Sequence, residues 1–188
     1  GYGVNGTPAD CVKLGIRVLK RRKPGWVLSG INRGENSAVN VIYSGTVSAA
    51  TEAAILGCRS MAISLCQGPK ASFDTAAGIT LKLFRKIKNL RLPDDTFLNL
   101  NIPACRVPRG IALTHQGCSR FIEKFDKRMD PRQREYYWLA GERMKRGRAS
   151  DTDDDVLRRG FVSLTPLHCD MTSYEFLKKL REIDLGIT

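Results

Sequence analysis

Residues 26–57 read WVLSGINRGENSAVNVIYSGTVSAATEAAILG, and this stretch sets the fold class. Trp26-Val27-Leu28 predicts a short strand that empties into a loop at Ser29-Gly30. The loop carries Asn32, Arg33, Glu35, Asn36 and Asn40, and Ser44-Gly45-Thr46 then opens an alanine-rich helix that Gly57 closes. A strand, a polar loop and a helix N-terminus in succession mark the edge of an α/β sheet where loop side chains and unpaired N–H groups converge. Ser44-Gly45-Thr46 offers hydroxyls and free N–H groups to an anion, most naturally a phosphate. The carboxamides are neutral oxygen donors of the kind a hard cation such as magnesium takes. Equally open at this point is a plain crossover loop with an N-cap serine, since glycine-serine turns before helices are common.

Outward from there, strand and helix alternate. Thr7-Pro8-Ala9-Asp10 is a helix start, with threonine as cap, proline in the first position and an acid in the first turn. That helix is expected to bury Cys11, Leu14, Ile16, Val18 and Leu19 and to end at Lys20-Arg21-Arg22-Lys23, cations that suit a helix C-terminus. Ser60 to Leu65 reads as a buried strand. Ser72 caps a helix running to about Asn89, with Phe73, Ala77, Leu81, Phe84 and Ile87 expected on its inner side. Phe97 to Ile102 is a strand that Pro103 ends. The alternation predicts an α/β fold with a mostly parallel sheet and helices on its faces.

After Gly110 the character changes. Ile111 to Thr114 is another strand, and residues 120–148 hold ten Lys/Arg against five Asp/Glu with Phe121, Phe125, Tyr136, Tyr137 and Trp138 interleaved. This predicts a protruding hairpin that serves single-stranded nucleic acid or a subunit interface. The interface is favoured, because no stacking-platform motif accompanies the charge. The acids Asp151 and Asp153 to Asp155 lack the glycine and terminal glutamate of a calcium loop, and capping of a helix start is the better reading. Phe161 to Leu167 is a late strand, and Thr172 to Ile183 a closing amphipathic helix.

Composition bounds the rest. A formal charge of +12 on 188 residues draws phosphates, nucleic acids or anionic surfaces. The six cysteines are spread without metal-clip spacing and are expected as buried free thiols of a reducing compartment, the cytoplasm. No apolar run has membrane-spanning length. His115 and His168 stand in no nucleophile motif, and neither a P-loop, a nucleophile elbow nor a GxGxxG pattern is found.

Val4 to Val12, Ser29 to Asn36 and Val41 to Val47 together closely resemble the SurE family of metal-dependent phosphatases acting on nucleoside monophosphates. The likeness runs on through Leu98-Asn99-Leu100-Asn101-Ile102-Pro103, Asp130-Pro131-Arg132, Tyr137-Trp138, Thr152-Asp153 and Gly160 to Leu167, in order over nearly the whole chain. The resemblance implies a Rossmann-like three-layer αβα domain with a swapped hairpin and C-terminal segment, assembled as a dimer or tetramer. It divides the chain into a core over residues 1–118, a basic aromatic hairpin over residues 119–150, and a last core strand and helix over residues 151–188. It implies one divalent cation, magnesium or manganese, with Asn32 as a ligand, and a phosphate received by Ser44, Gly45 and Thr46 with Asn36 on the same loop. In the family two adjacent aspartates and a serine complete the cation's ligands; they belong to the part of the pattern preceding Val4. The implied reaction is hydrolysis of nucleoside 5′- or 3′-monophosphates, the cation polarising a phosphoryl oxygen and activating water. The 188-residue chain alone is expected to hydrolyse little or nothing. The alternative from another class is a non-catalytic phosphate- or RNA-binding oligomeric subunit.

Overall fold

The structure is a computed structural model that describes residues 1–19, 23–119, 121–143, 151–183 and 186, the side chains of Phe121, Glu142 and Arg143 excepted. The expected basic helix end at Lys20 to Arg22 and much of the basic run after Arg143 lie outside the described residues.

Five strands form one sheet: β1 (Trp26–Arg33), β2 (Arg59–Leu65), β3 (Thr96–Ile102), β7 (Val162–His168) and β4 (Ile111–Leu113), adjacent in that order. β1, β2 and β3 are parallel; β7 runs against β3, and β4 runs with β7. The sheet is therefore mixed and mostly parallel. A separate two-stranded ribbon of β5 (Phe121–Met129) and β6 (Glu135–Arg143) is the expected hairpin.

Helix α3 (Phe73–Ile87) covers one face, where Met61, Ile63, Leu65, Leu98, Leu100 and Ile102 form an apolar core with Ala76 and Leu83. Helix α2 (Gly45–Ile55) covers the other, through Val47, Ala50 and Ala54 against Ala62 and Phe97. Helix α1 (Pro8–Val18) lies outside α2, and α4 (Asp153–Arg158) and α5 (Tyr174–Leu180) flank β7 in sequence.

Several expectations are corrected. β1 does not end at Ser29 but continues to Arg33, with a cis peptide between Gly30 and Ile31 and a register shift between Ser29 and Asn32. Gly30 has φ +135°, and a Cβ there would collide with the carbonyl oxygen of Ile63, so only glycine lets the strand pass. No residue of α1 is buried, and Leu14, Val18 and Leu19 are exposed, because α1 packs on a helix already seated on the sheet. On α3 the buried residues are Ala76, Thr80 and Leu83, with Ile79 and the expected Ile87 packed against the same core, while Phe73, Ala77 and Leu81 are exposed. Of the six free cysteines only Cys58 is buried. The closing helix is shorter than expected, Tyr174–Leu180.

Candidate phosphate site at the carboxyl edge of the sheet

Asn32 occupies the penultimate position of β1, in register with Ser64 of β2. Neighbours in a parallel ladder point to one face, so Asn32 shares the face of Ser64, the side α2 covers. α2 begins at the carboxyl edge of β1 and β2 and ends at Ile55, shortly before β2 starts at the opposite edge. Its first turn and Asn32 therefore stand on one face and one edge of the sheet.

The Asn32 Nδ2 donates to the Gly34 carbonyl at 2.8 Å, which leaves Oδ1 as the free atom of the carboxamide. The Gly34 N–H donates to the Leu65 carbonyl at 2.7 Å and straps the chain to β2 just after Asn32. At the other wall Ser44 caps α2, its Oγ accepting from the Val47 N–H at 3.1 Å. The N–H groups of Gly45 and Thr46 and the Thr46 hydroxyl take no partner among the described residues, and α2 has no acid in its first turn. A Cβ on Gly45 would lie 3.1 Å from Cγ of Pro8, so α1 packs closely over this turn. Free donors at the positive end of a helix dipole attract an anion; a lone neutral Oδ1 accepts a hydrogen bond or faces a cation.

Asn36, expected as a phosphate contact, is buried. Its Nδ2 donates to Ser64 Oγ at 2.7 Å. Its N–H donates to Asn101 Oδ1 at 2.8 Å, and its carbonyl accepts from Asn99 Nδ2 at 2.8 Å and Asn101 Nδ2 at 3.1 Å. Two residues on, the Ala38 N–H donates to Asp153 Oδ2 at 2.9 Å. The other oxygen of Asp153 accepts from the N–H groups of Gly117 at 2.9 Å and Asp154 at 2.7 Å. Sequence reasoning assigned Asp153 to helix capping; it does start α4, but it also ties three distant segments together. Burial pushes its carboxyl above the ordinary range, and the N–H groups of Ala38, Gly117 and Asp154 work against that rise. A Cβ on Gly117 would press on the carboxylate oxygens of Asp154 and Asp153.

Asn99, Asn101 and Ser64 were given no site role from the sequence, and Asp153 only that of a cap. The signal was present in Leu98-Asn99-Leu100-Asn101-Ile102: carboxamides at every second position of a buried strand put two polar groups on one face. Asn99 Oδ1 and Ser37 Oγ are buried without a hydrogen-bond partner among the described residues, each at a cost of about 1–3 kcal/mol.

His115 and His168 line one broad cleft with Val41, Val47, Phe97 and Leu167; Asn32, Ser44 and Thr46 do not line it. His168 Nδ1 accepts from the Asp170 N–H at 3.0 Å, a structural use of that histidine. Among the described residues no group of three His, Cys, Asp or Glu could hold a metal ion, and no helix is long and apolar enough to cross a membrane.

The profile of the family described as survival protein SurE matches residues 1–123. The 5′-nucleotidase SurE of Syntrophus aciditrophicus is 49% identical over 186 residues, which cover 97% of this chain and 70% of that protein. The chain belongs to the SurE family. The 5′-nucleotidase SurE of Pelotomaculum thermopropionicum is 45% identical, again over 97% of this chain and 70% of its own length. The crystal structure of the SurE protein from Aquifex aeolicus superposes with a TM-score of 0.81 at 41% identity, covering 95% of this chain and 73% of that one. Family membership and the expected α/β fold thus agree with the sheet observed here.

Proposed function

We propose that the chain carries the phosphate-binding corner for phosphomonoester hydrolysis of nucleoside monophosphates, the activity for which its SurE relatives are named 5′-nucleotidases. The observation that carries this reading, beyond the family, is the shared face and edge of Asn32 Oδ1 and the free first-turn donors of α2. Gly45 and Thr46 N–H groups and the Thr46 hydroxyl bind the phosphoryl oxygens. The helix dipole opposes the negative charge that grows on them as the bond to the leaving oxygen lengthens. Ser44 holds the turn in shape through its bond to Val47. Asn36, turned inward onto Ser64, sets the floor beneath the phosphate.

Metal dependence comes with the family, and magnesium or manganese are the ions an oxygen donor set takes. The described residues supply one neutral oxygen toward it, Asn32 Oδ1, and a single carboxamide does not hold a divalent ion. The residues present do not fit that group by themselves, so no step is assigned through it. We further propose that β5–β6, with residues 119–150 distinct from the core over 1–118 and 151–188, is an interface to a second copy, giving a dimer or tetramer. Phe125, Tyr137, Trp138 and Leu139 are exposed on the ribbon, and an isolated two-stranded hairpin is marginal in water. Six cysteines without a disulfide support a cytoplasmic location.

Release of inorganic phosphate from 5′- and 3′-nucleoside monophosphates, with magnesium or manganese added, tests the activity. Turnover that is lost in Thr46→Val, with thermal stability unchanged, supports it. Turnover indifferent to Thr46 and Asn32 substitutions counts against this corner as the phosphate site.

A further inference from the structure

Between Asn32 and the first turn of α2 the chain crosses the end of the sheet, and it is pinned there by side chains. Both main-chain groups of Asn36 and the N–H of Ala38 end on Asn99, Asn101 and Asp153. Asn101 presents its carboxamide to the N–H and C=O of Asn36 as a neighbouring strand would, at 2.8 and 3.1 Å. Asp153, from a helix 115 positions away, closes the other end of the clamp on Ala38. The clamp sits midway between the two walls of the site: Asn32 lies four residues before Asn36, and the Ser44 cap follows the 3₁₀ segment Ala38–Tyr43.

These side chains are buried, and Asn99 and Asn101 lie on the sheet face where Ser60, Ser64, Ser163 and Thr165 are buried polar residues too. A carboxamide at a fully buried strand position is a poor choice for stability alone, most plainly at Asn99, whose Oδ1 finds no partner among the described residues. We propose that Asn99, Asn101 and Asp153 are positioning residues: they fix the main chain at Asn36 and Ala38 and thereby the spacing of Asn32 from the phosphate-binding turn of α2. This inference rests on the phosphate reading of that turn. None of the three touches the substrate; each acts through the loop.

Asn101→Leu removes both bonds to Asn36, and Asn99→Leu removes one of the two donors to its carbonyl. Ser60→Ala is the control, because Ser60 is equally buried on the same face but donates to the Ala50 carbonyl at 2.6 Å, far from the loop. Nucleotide hydrolysis by the wild type and all three variants, with magnesium or manganese, is measured beside thermal unfolding. The expected result is a graded loss carried by kcat, roughly 100-fold in Asn101→Leu and roughly 10-fold in Asn99→Leu, with Ser60→Ala unchanged, as misplacement of reacting groups by about an ångström produces. Asn99→Leu leaves the two bonds of Asn101 intact and serves if Asn101→Leu does not fold. Equal kcat in Asn99→Leu and Ser60→Ala overturns the proposal. If the wild type releases little or no phosphate, as one neutral oxygen ligand among the described residues leads one to expect, inorganic phosphate binding by ³¹P line broadening decides the clamp. An affinity at least tenfold weaker in the asparagine variants than in Ser60→Ala then supports it. Equal affinities, or no binding by the wild type, overturn it.

Discussion

Under α3 the sheet offers Met61, Ile63, Leu65, Leu98, Leu100 and Ile102; toward α2 and the loop after β1 it offers Ser60, Ser64, Asn99, Asn101, Ser163 and Thr165. All are buried, and they alternate along the same strands. The first set is held by apolar contact, with no polar atom to satisfy. The second is held by a chain of hydrogen bonds: Thr114 reaches Ser163 at 2.8 Å and Thr165 at 2.7 Å, while the asparagines and Ser64 reach Asn36. The apolar face makes the domain stable, and the polar face gives one loop a fixed place. The proposed phosphate corner sits where the polar face meets the carboxyl edge.

Exchanging the two rules breaks the comparison most severely on the apolar side. Leu100→Asn places an unpaired carboxamide among Met61, Ile63 and Val162 and forfeits the leucine's burial, a loss of about 3–5 kcal/mol in denaturant unfolding. The opposite exchange, Asn99→Leu, removes an oxygen that has no partner and one bond to Asn36, so it should cost about 1 kcal/mol or less in the same assay. Comparable losses for the two variants would erase the distinction between the faces. Gly117→Ala falls between them, about 1–3 kcal/mol, since its Cβ meets Asp154 and forces the Asp153 junction apart.

The smallest effects concern protons. Asp153 lies in the polar interior, where burial raises its carboxyl above the ordinary 3.8; Asp170, exposed past the end of β7, is lowered to about 2 by hydrogen bonds from Thr172 and Tyr174. The signs are opposite. Whatever Asp153 contributes is present below its unfolded value and fades as pH rises through the raised one. Asp170's contribution is present above its unfolded value and is lost as pH falls through about 2. Carboxyl chemical shifts followed by NMR should place the Asp153 midpoint above 3.8 and the Asp170 midpoint near 2; the reverse order would contradict the burial described for Asp153.

Much of the frame was legible because local chemistry wrote it. Thr7, Ser44 and Ser72 cap the helices expected of them, each side chain accepting from an N–H three residues on. Pro103 ends β3 where it should. What escaped notice depends on partners far along the chain. Gly30 carries β1 onward only because Ile63 lies beside it, and Asp153 looks like an ordinary cap until Ala38 is brought to it across 115 positions. The helix start at Ser44 advertises itself, whereas Asn99 and Asn101 show in the sequence only as an alternation.

The most direct measurement is a titration of the ¹⁵N-labelled chain with inorganic phosphate, following backbone and side-chain amides together. If Asn32 and the start of α2 form one pocket, the amides of Gly45 and Thr46 and the Nδ2 group of Asn32 shift along a single saturating curve. Saturating shifts confined to the cleft of His115 and His168, with those three silent, would contradict it.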